Sequence, residues 1–367
     1  MIPLYKPFFP RGSMAYAKEA LASGWVSWQG KYLKLTEEKL KELFGFEHVL
    51  LTSSGTAAVH LMSMVWQRLN FDSLTFPENC YVGAVNPFLL KVPALSGEKT
   101  ELSTYPLNYN TWNGSPPRIK RISDATLIVH NLGNVFNVVD HFTGDERTSV
   151  FEDACEALGG KYYDQYVGTA SLCAAFSFYA SKTITCGEGG AFVCRDPSIY
   201  KMAKSWSTQG QSSQRYLHDS FGLNYRMTNV QAAMLLGQLE YWDELQERKE
   251  DVYLRYRSRL KNVSHQVVTD NTKHSYWMTG VRVHGSKGYK RARQFFDEAG
   301  IEIRPFFYPL NHHLHLKMVP MESQYQADNF SREIILLPSY PELALEEKDK
   351  QDYIIEKVEQ YASSFRE

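Results

Sequence analysis

Cysteine is scarce in this sequence, with five residues scattered over 367 positions. They form no C-x-x-C pair and their number is odd, which disfavours both a disulfide framework and a structural zinc site. Reduced thiols fit this pattern better, and they are typical of a cytoplasmic protein. We therefore predict a cytoplasmic location and no structural metal.

An excess of charge and long apolar runs are also missing. Lys and Arg total 40 against 41 Asp and Glu, a net charge of −1, which lacks the basic footprint of a nucleic-acid or anionic-membrane binder. The apolar runs fall well short of the ~20 residues that span a bilayer. Prolines interrupt the N-terminus, where a signal peptide needs a continuous apolar core. We predict that neither nucleic acid nor a membrane is a partner.

Nucleotide-phosphate motifs are not found either, because the sequence has no P-loop and no G-x-G-x-x-G after a strand. Strand-like and helix-like segments alternate instead, which predicts an α/β fold with a mostly parallel sheet. The polar segment 97–124 is predicted to be an irregular surface loop. A long helical pattern covers 229–261, and we place a boundary within it, between domains 1–240 and 241–367.

One lysine stands in an unusual setting. The sequence SFYASK at 177–182 is followed by GEGG at 187–190, so Lys182 comes just after a strand-like apolar run. The Ser177 hydroxyl and nearby backbone N–H groups could hold an anion while the amine contacts a bound group. Taken alone, Lys182 fits an ordinary solvated loop lysine better, and the glycines fit a tight turn.

Two further segments change that balance. The sequence SSGT at 53–56 lies at a predicted strand-to-helix turn, where free N–H groups and the helix dipole favour a phosphate. Asp153 ends another predicted strand. An anion site, a lysine and a carboxylate are what pyridoxal 5′-phosphate (PLP) requires, since the lysine forms a Schiff base and the carboxylate keeps the pyridine nitrogen protonated.

With these residues in hand, the sequence resembles the DegT/DnrJ/StrS family of PLP-dependent nucleotide-sugar aminotransferases. Each matching segment is weak by itself, but their order and separations are specific over nearly the whole chain. The segments are SGW at 23–25, SSGTAA at 53–58, FEDA at 151–154, SFYASK at 177–182, GEGG at 187–190, GLNYR at 222–226, VQAA at 230–233, QLE at 238–240, RPFFYP at 304–309 and LPS at 337–339.

The resemblance implies a role for each matching residue. Lys182 corresponds to the Schiff-base lysine and proton shuttle, and Asp153 to the partner of the pyridine nitrogen. The residues implied to contact the phosphate are Gly55, Thr56 and Ser177. Tyr81 corresponds to an aromatic residue that stacks on the cofactor ring, and Asn224 to an asparagine that reaches the phosphate of a neighbouring subunit.

Each role has an ordinary alternative, and two positions depart from the family pattern. Asp153 fits a helix N-cap, Tyr81 a core residue, and Asn224 a polar loop residue. Glu156 replaces a glutamine common in the family; the resemblance places it at the cofactor O3′ and in the subset that aminates at C4. Trp28 stands where a small hydroxyl residue is common. The candidate substrate contacts are Arg226, Tyr308, His312 and His313.

The resemblance thus implies the PLP fold type I, with a seven-stranded, mostly parallel sheet in a large α/β domain and a smaller C-terminal α+β domain. The expected reaction moves an amino group from glutamate to C4 of a nucleotide-linked 4-keto-6-deoxy sugar, through the pyridoxamine form of the cofactor. The expected assembly is a homodimer with shared active sites. A sugar 3-aminotransferase, a PLP-dependent dehydratase and a catalytically silent relative remain as alternatives, although Lys182 argues against dehydration.

Overall fold

A computed structural model describes residues 1–92, 95, 101–121, 123–317, 321 and 323–365. The helices are α1 Arg11–Ala22, α2 Lys31–Phe44, α3 Gly55–Arg68, α4 Val138–His141, α5 Pro197–Ser207, α6 Asn229–Leu239, α7 Trp242–Arg259, α8 Tyr289–Glu298, α9 Gln324–Glu333 and α10 Lys348–Ser363. The strands are β1 His48–Thr52, β2 Ser73–Pro77, β3 Glu101–Tyr105, β4 Asp124–Val129, β5 Val150–Asp153, β6 Lys161–Tyr162, β7 Gln165–Tyr166, β8 Cys173–Ser177, β9 Gly190–Cys194, β10 Ser264–His265, β11 Thr272–Lys273, β12 Thr279–Arg282, β13 Arg304–Pro305 and β14 Ile334–Leu337.

The main sheet has seven strands among the described residues, in the order β1-β9-β8-β5-β4-β2-β3. Among the described strands of this sheet, only β9 is antiparallel to its neighbours, β1 and β8. The other neighbouring pairs are parallel. This confirms the prediction of a seven-stranded, mostly parallel sheet.

Both faces of this sheet are buried, as its apolar strands require. Successive strand residues point to opposite faces, so Ala174 and Phe176 of β8 pack in one cluster with α2 and α6. Ala175, between them, packs in the other cluster with α3 and α5. Helices on both sides leave the ends of the strands as the open places for a ligand.

A smaller four-stranded antiparallel sheet, in the order β10-β12-β14-β13, follows in the second part of the chain. Its apolar cluster contains residues of α8 and α10 and the C-terminal half of α7, whereas Leu245, near the start of α7, belongs to the core of the main sheet. This α/β plus α+β arrangement agrees with the expected fold class, while the boundary at 240/241 stays a prediction.

Two local predictions were wrong. Within the segment 97–124, predicted to be a loop, residues 101–105 form β3, the edge strand paired in parallel with β2; positions 97–100 and 122 lie outside the described residues. The helical pattern over 229–261 is broken at 240–241 between α6 and α7. No helix in the described ranges is long and apolar enough to cross a membrane.

Candidate active site

A cavity of about 780 Å³ opens where the parallel strands of the main sheet end. Asp153 closes β5, Ser177 closes β8, and Gly55 begins α3, and all three line this cavity. Ligands of open α/β sheets bind beyond the carboxyl ends of the strands. The opposite wall comes from the second part of the chain, including Trp277 and the segment 304–308.

The first residue of α3, Gly55, lets this helix approach the end of β8 closely. Ser54 caps the helix by accepting a hydrogen bond from the Ala57 N–H at 3.1 Å. A Cβ on Gly55 would lie 2.7 Å from the Ser177 Cβ and 3.0 Å from its Oγ, so only glycine lets β8 and α3 meet here. The helix N-terminus and the Ser177 hydroxyl therefore share one corner of the cavity, which suits an anion.

A buried carboxylate lies deeper in the cavity. Asp153 is 6% exposed, and its Oδ1 accepts a hydrogen bond from the Cys155 N–H at 3.0 Å. Burial raises the pKa of this carboxyl, since desolvation disfavours the charged form, and the Lys182 charge partly opposes that effect. A cationic group bound beside Asp153 would relieve this desolvation cost.

The Lys182 amine also faces the cavity. It lies 3.9 Å from Glu156 Oε1, and both side chains are largely buried, with 13% and 7% exposed. The same Nζ stands 3.9 Å from the centre of the Trp277 ring. The amine is thus held between a carboxylate and an aromatic face while remaining accessible from the cavity.

Glu156 has the most informative electrostatics of the site. Burial raises its pKa from 4.5 to about 7, although Lys182 and the Leu132 N–H, which donates to Oε2 at 2.8 Å, both favour the charged form. A carboxyl group that titrates near neutrality can either donate or accept a proton at physiological pH.

Tyr5 and Trp277 are site residues that the sequence analysis missed. The Tyr5 hydroxyl donates to the Lys182 carbonyl oxygen, and the Trp277 indole N–H donates to the Ser181 carbonyl at 2.8 Å. These two aromatic residues therefore hold the backbone carbonyls just before and just after the Lys182 side chain. Their separations from it in sequence are 177 and 96 residues, so no local pattern could have revealed them.

Among the other predicted residues, Thr56, Tyr81, Tyr308 and His313 line the same cavity. The Tyr81 side chain is 59% exposed, and its ring centre is 6.3 Å from that of Phe307. A ring so placed is free to cover a flat ligand.

Three predicted residues lie elsewhere and do not line the cavity in the described part of the chain. Arg226 donates from Nε to Asn224 Oδ1 at 2.7 Å, and its guanidinium lies 4.6 Å from the centre of the Trp28 ring. The Nε2 of His312 lies 2.8 Å from Asp328 Oδ1. For Asn224 this position agrees with the resemblance, which implies a role at a neighbouring subunit. The substrate contacts expected of Arg226 and His312 stay predictions.

The residues of the cavity fit PLP. The α3 N-terminus with Ser177 suits its phosphate, Asp153 its pyridine nitrogen, and the Lys182 amine its aldehyde. The cradle at Gly55, which a Cβ would fill, and the desolvated Asp153 are both accounted for by such a group. No cluster of three or more His, Cys, Asp or Glu suited to a metal occurs among the residues described.

Similarity to known proteins agrees with this geometry. The chain is 30% identical to the GDP-perosamine synthase of Escherichia coli O157:H7, with 99% of each chain covered. It is 31% identical to the GDP-perosamine synthase of Vibrio cholerae, over 94% of this chain and 95% of that protein.

Solved structures share the fold. A sugar aminotransferase of Micromonospora echinospora superposes with a TM-score of 0.84 at 20% identity, covering 98% of this chain and all of the other. An aminotransferase of pseudoaminic acid biosynthesis from Helicobacter pylori gives 0.83 at 22% identity, covering 97% and 99%. The model of the DegT/DnrJ/EryC1/StrS aminotransferase family matches residues 11–359. The chain therefore belongs to this family of PLP-dependent sugar aminotransferases.

Proposed function

We propose that this protein transfers the amino group of glutamate to C4 of a nucleotide-linked 4-keto-6-deoxy sugar, giving the 4-amino sugar and 2-oxoglutarate. The observation that carries the proposal is the meeting of the Lys182 amine, the Asp153 carboxylate and the α3 N-terminus in one cavity. The two relatives named GDP-perosamine synthase favour C4 amination and a GDP carrier.

The cofactor would be held by residues already described. Backbone N–H groups of Gly55 and Thr56 and the Ser177 hydroxyl would bind its phosphate. Asp153 would face the pyridine nitrogen, where a desolvated carboxylate strongly favours the protonated ring. Tyr81 would cover one face of the ring, and Glu156 would lie towards the O3′ side.

When bound, PLP supplies an aldehyde that takes up amines and a ring that accepts electrons from the carbon beside the nitrogen. The protein's own contribution is proton transfer. Lys182 would move a proton between the cofactor C4′ and the carbon that gains or loses the amine, because its Nζ faces the cavity and is held on two sides. A positioned acid–base group contributes about 10²–10⁴-fold.

The sugar would enter from the open side of the cavity, past Tyr308 and His313. Burial lowers the pKa of the His313 imidazole, and the neighbouring His315 and His312 add to that effect, so the neutral ring is the form available to a substrate hydroxyl.

A homodimer would account for the residues that lie outside the cavity. Asn224 accepts a hydrogen bond from Arg226, whose guanidinium lies over the Trp28 ring. Trp28 is 40% exposed and Trp25 58% exposed, which is unusual for such large apolar side chains. We propose that this surface faces a second copy, so that Asn224 and Arg226 act in the partner's site.

The dimer has a direct test by complementation. Lys182→Ala and Arg226→Ala proteins, each impaired alone, would regain activity when unfolded together and refolded, because some mixed dimers carry one intact site. Two Lys182→Ala preparations treated in the same way serve as the control. A monomer in sedimentation at working concentration, with no complementation, would exclude the shared site.

The reaction itself is tested with a panel of substrates. Glutamate and GDP-, dTDP- or UDP-linked 4-keto and 3-keto sugars would be supplied to PLP-loaded protein, and the product identified by NMR. We expect an amine at C4 of a 4-keto sugar. An amine at C3 would identify a 3-aminotransferase, loss of a hydroxyl without amination a dehydratase, and no product with any sugar a silent relative.

Cofactor attachment is a separate test. Borohydride treatment of the yellow protein is expected to attach the cofactor to Lys182, as shown by the mass of the peptide that contains it. Buried Lys249 offers an internal control and should stay unmodified. A protein that is colourless with PLP and cannot be labelled would contradict the proposal.

A further inference from the structure

The contact between Lys182 and Trp277 joins the two parts of the chain. The Nζ of Lys182 lies 3.9 Å from the centre of the indole ring, at the distance of a cation–π interaction. Trp277 itself is 7% exposed. A charged amine that has left bulk water gains more from an aromatic face than an exposed amine does.

Trp277 is fixed independently of this contact. Its indole N–H donates to the Ser181 carbonyl at 2.8 Å, and its own carbonyl accepts a hydrogen bond from the Lys249 amine at 2.7 Å. The ring therefore keeps its position whether or not Lys182 lies over it. Its face is already in place for the amine.

Glu156 completes the surroundings of the amine from another direction, with Oε1 at 3.9 Å from Nζ. Its other oxygen is held by the Leu132 N–H. The carboxylate and the ring thus approach the same Nζ from two elements that are far apart in sequence, since Glu156 follows β5 and Trp277 precedes β12.

We propose that Trp277 is a positioning residue whose indole face, with Glu156, forms the resting place of the Lys182 amine whenever that amine is not bonded to the cofactor. This inference rests on the proposed function, because an aminotransferase frees its lysine each time the cofactor carries the amino group. The resting place holds the amine beside the reacting carbon, ready to carry a proton.

The resting place competes with bond formation. Lys182 leaves the ring to bond the aldehyde of PLP, but it can stay there when pyridoxamine 5′-phosphate (PMP) is bound. Loss of the ring face therefore strengthens PLP binding relative to PMP binding. For a desolvated cation–π contact we expect the ratio Kd(PMP)/Kd(PLP) to rise about 5- to 30-fold.

The test measures both dissociation constants with the full-length, cofactor-free protein, by quenching of tryptophan fluorescence or by calorimetry. Trp277→Leu removes the ring face and should show the full rise in the ratio. Trp277→Phe keeps a ring face but loses the N–H bond to Ser181, so its ratio should stay within about threefold of the unmodified protein.

Trp66→Leu is the matched control. Trp66 is also buried, at 4% exposed, and its indole N–H also donates to a backbone carbonyl, that of Ser73 at 3.3 Å, but it does not line the cavity within the described structure. Its ratio should change less than twofold. If Trp277→Leu does not fold, Trp277→Met, a flexible gap-filling residue, replaces it.

The proposal would be overturned if Trp277→Leu or Trp277→Met binds each cofactor with an unchanged Kd(PMP)/Kd(PLP) ratio. Equal rises of this ratio in the leucine and phenylalanine variants would also overturn it. Failure of the proposed cofactor chemistry looks different, because the unmodified protein would then bind neither cofactor and its Lys182 could not be labelled. Amination at another carbon, or dehydration, would appear in the sugar product instead.

Discussion

Lys182 and Lys249 are both buried amines, yet they lie in surroundings of different character. Lys182 faces a large cavity, with Glu156 and the Trp277 ring each 3.9 Å from its Nζ. Lys249 is 1% exposed and donates to two backbone carbonyls, those of Trp277 and Ser339. Burial lowers the pKa of Lys249 to about 7.

The difference suits the reactive role proposed for Lys182 and a structural role for Lys249. Lys249 satisfies carbonyls that would otherwise be buried without a donor, so its bonds belong to the fold. Lys182 has an ion pair and a ring contact, which it can exchange for a bond to a ligand. Substitution of Lys182 is expected to reduce activity with little change in stability. Substitution of Lys249 is expected to reduce stability instead.

The largest effect is expected from Lys182→Ala. Turnover should fall by more than about 10⁴-fold, because both the cofactor bond and the proton carrier are lost. The melting temperature of the cofactor-free protein should stay within a few degrees, since the side chain borders a cavity. Steady-state kinetics and calorimetry measure the two quantities, and near-normal turnover would remove Lys182 from the mechanism.

Lys249→Ala should show the reverse pattern. It leaves the Trp277 and Ser339 carbonyls without their donor and opens a void, which together cost about 2–5 kcal/mol in the free energy of unfolding. Urea unfolding gives this value, with Lys249→Met as the variant that keeps the volume but not the bonds. An unchanged free energy of unfolding would show that the Lys249 hydrogen bonds do not stabilise the fold, which would contradict the contrast drawn with Lys182.

Glu156→Gln sharpens the comparison through pH. Burial raises the Glu156 pKa from 4.5 to about 7, so the unfolded chain loses its proton first and stability falls as pH rises from about 4.5 to 7. The glutamine variant lacks this loss. Its advantage over the unmodified protein should grow by up to about 3 kcal/mol across that range and then stay constant.

This prediction is checked by unfolding both cofactor-free proteins in urea at several pH values between 4.5 and 8. Other titrating groups cancel in the difference between the two curves. A difference that is independent of pH would contradict the raised pKa.

The smallest effect is expected from Gly55→Ala. The new methyl group would lie 2.7 Å from the Ser177 Cβ and so push apart the α3 N-terminus and the Ser177 hydroxyl. We expect it to weaken PLP binding about tenfold or more. Gly12→Ala in α1 is the control, because its Cβ would meet its nearest neighbour at an ordinary 3.7 Å. Spectroscopic titration with PLP measures both variants, and equal affinities would exclude Gly55 from the cradle.

The sequence predicted the parts of this site that have a local signature. Ser177, Lys182 and the turn before α3 stand at strand ends next to glycines, and the structure brings them together in one cavity. The edge strand β3 was missed because its residues are polar and only half buried, so they lack the apolar run of an interior strand.

Tyr5 and Trp277 could not be predicted for a different reason. Both are tied to the Lys182 loop by hydrogen bonds to carbonyl groups, which every residue carries, so no side-chain pattern indicates the partner. Asn224 and Arg226 mark a third kind of difficulty, since their proposed site lies on another subunit. Contacts across large sequence separations, and between chains, are decided by the fold as a whole.

The extended segment that carries Tyr5 also fixes when the site can be completed during synthesis. Its neighbours hold it through backbone hydrogen bonds from Ile2 to Gly300 and from Ser339 to Leu4. Residues 2–5 therefore cannot be anchored beside Lys182 until the chain has been made as far as Ser339. Chains emerge from the N-terminus at about 5–20 residues per second. The loop that carries Lys182 therefore lacks its hydrogen bond from Tyr5 for many seconds during synthesis.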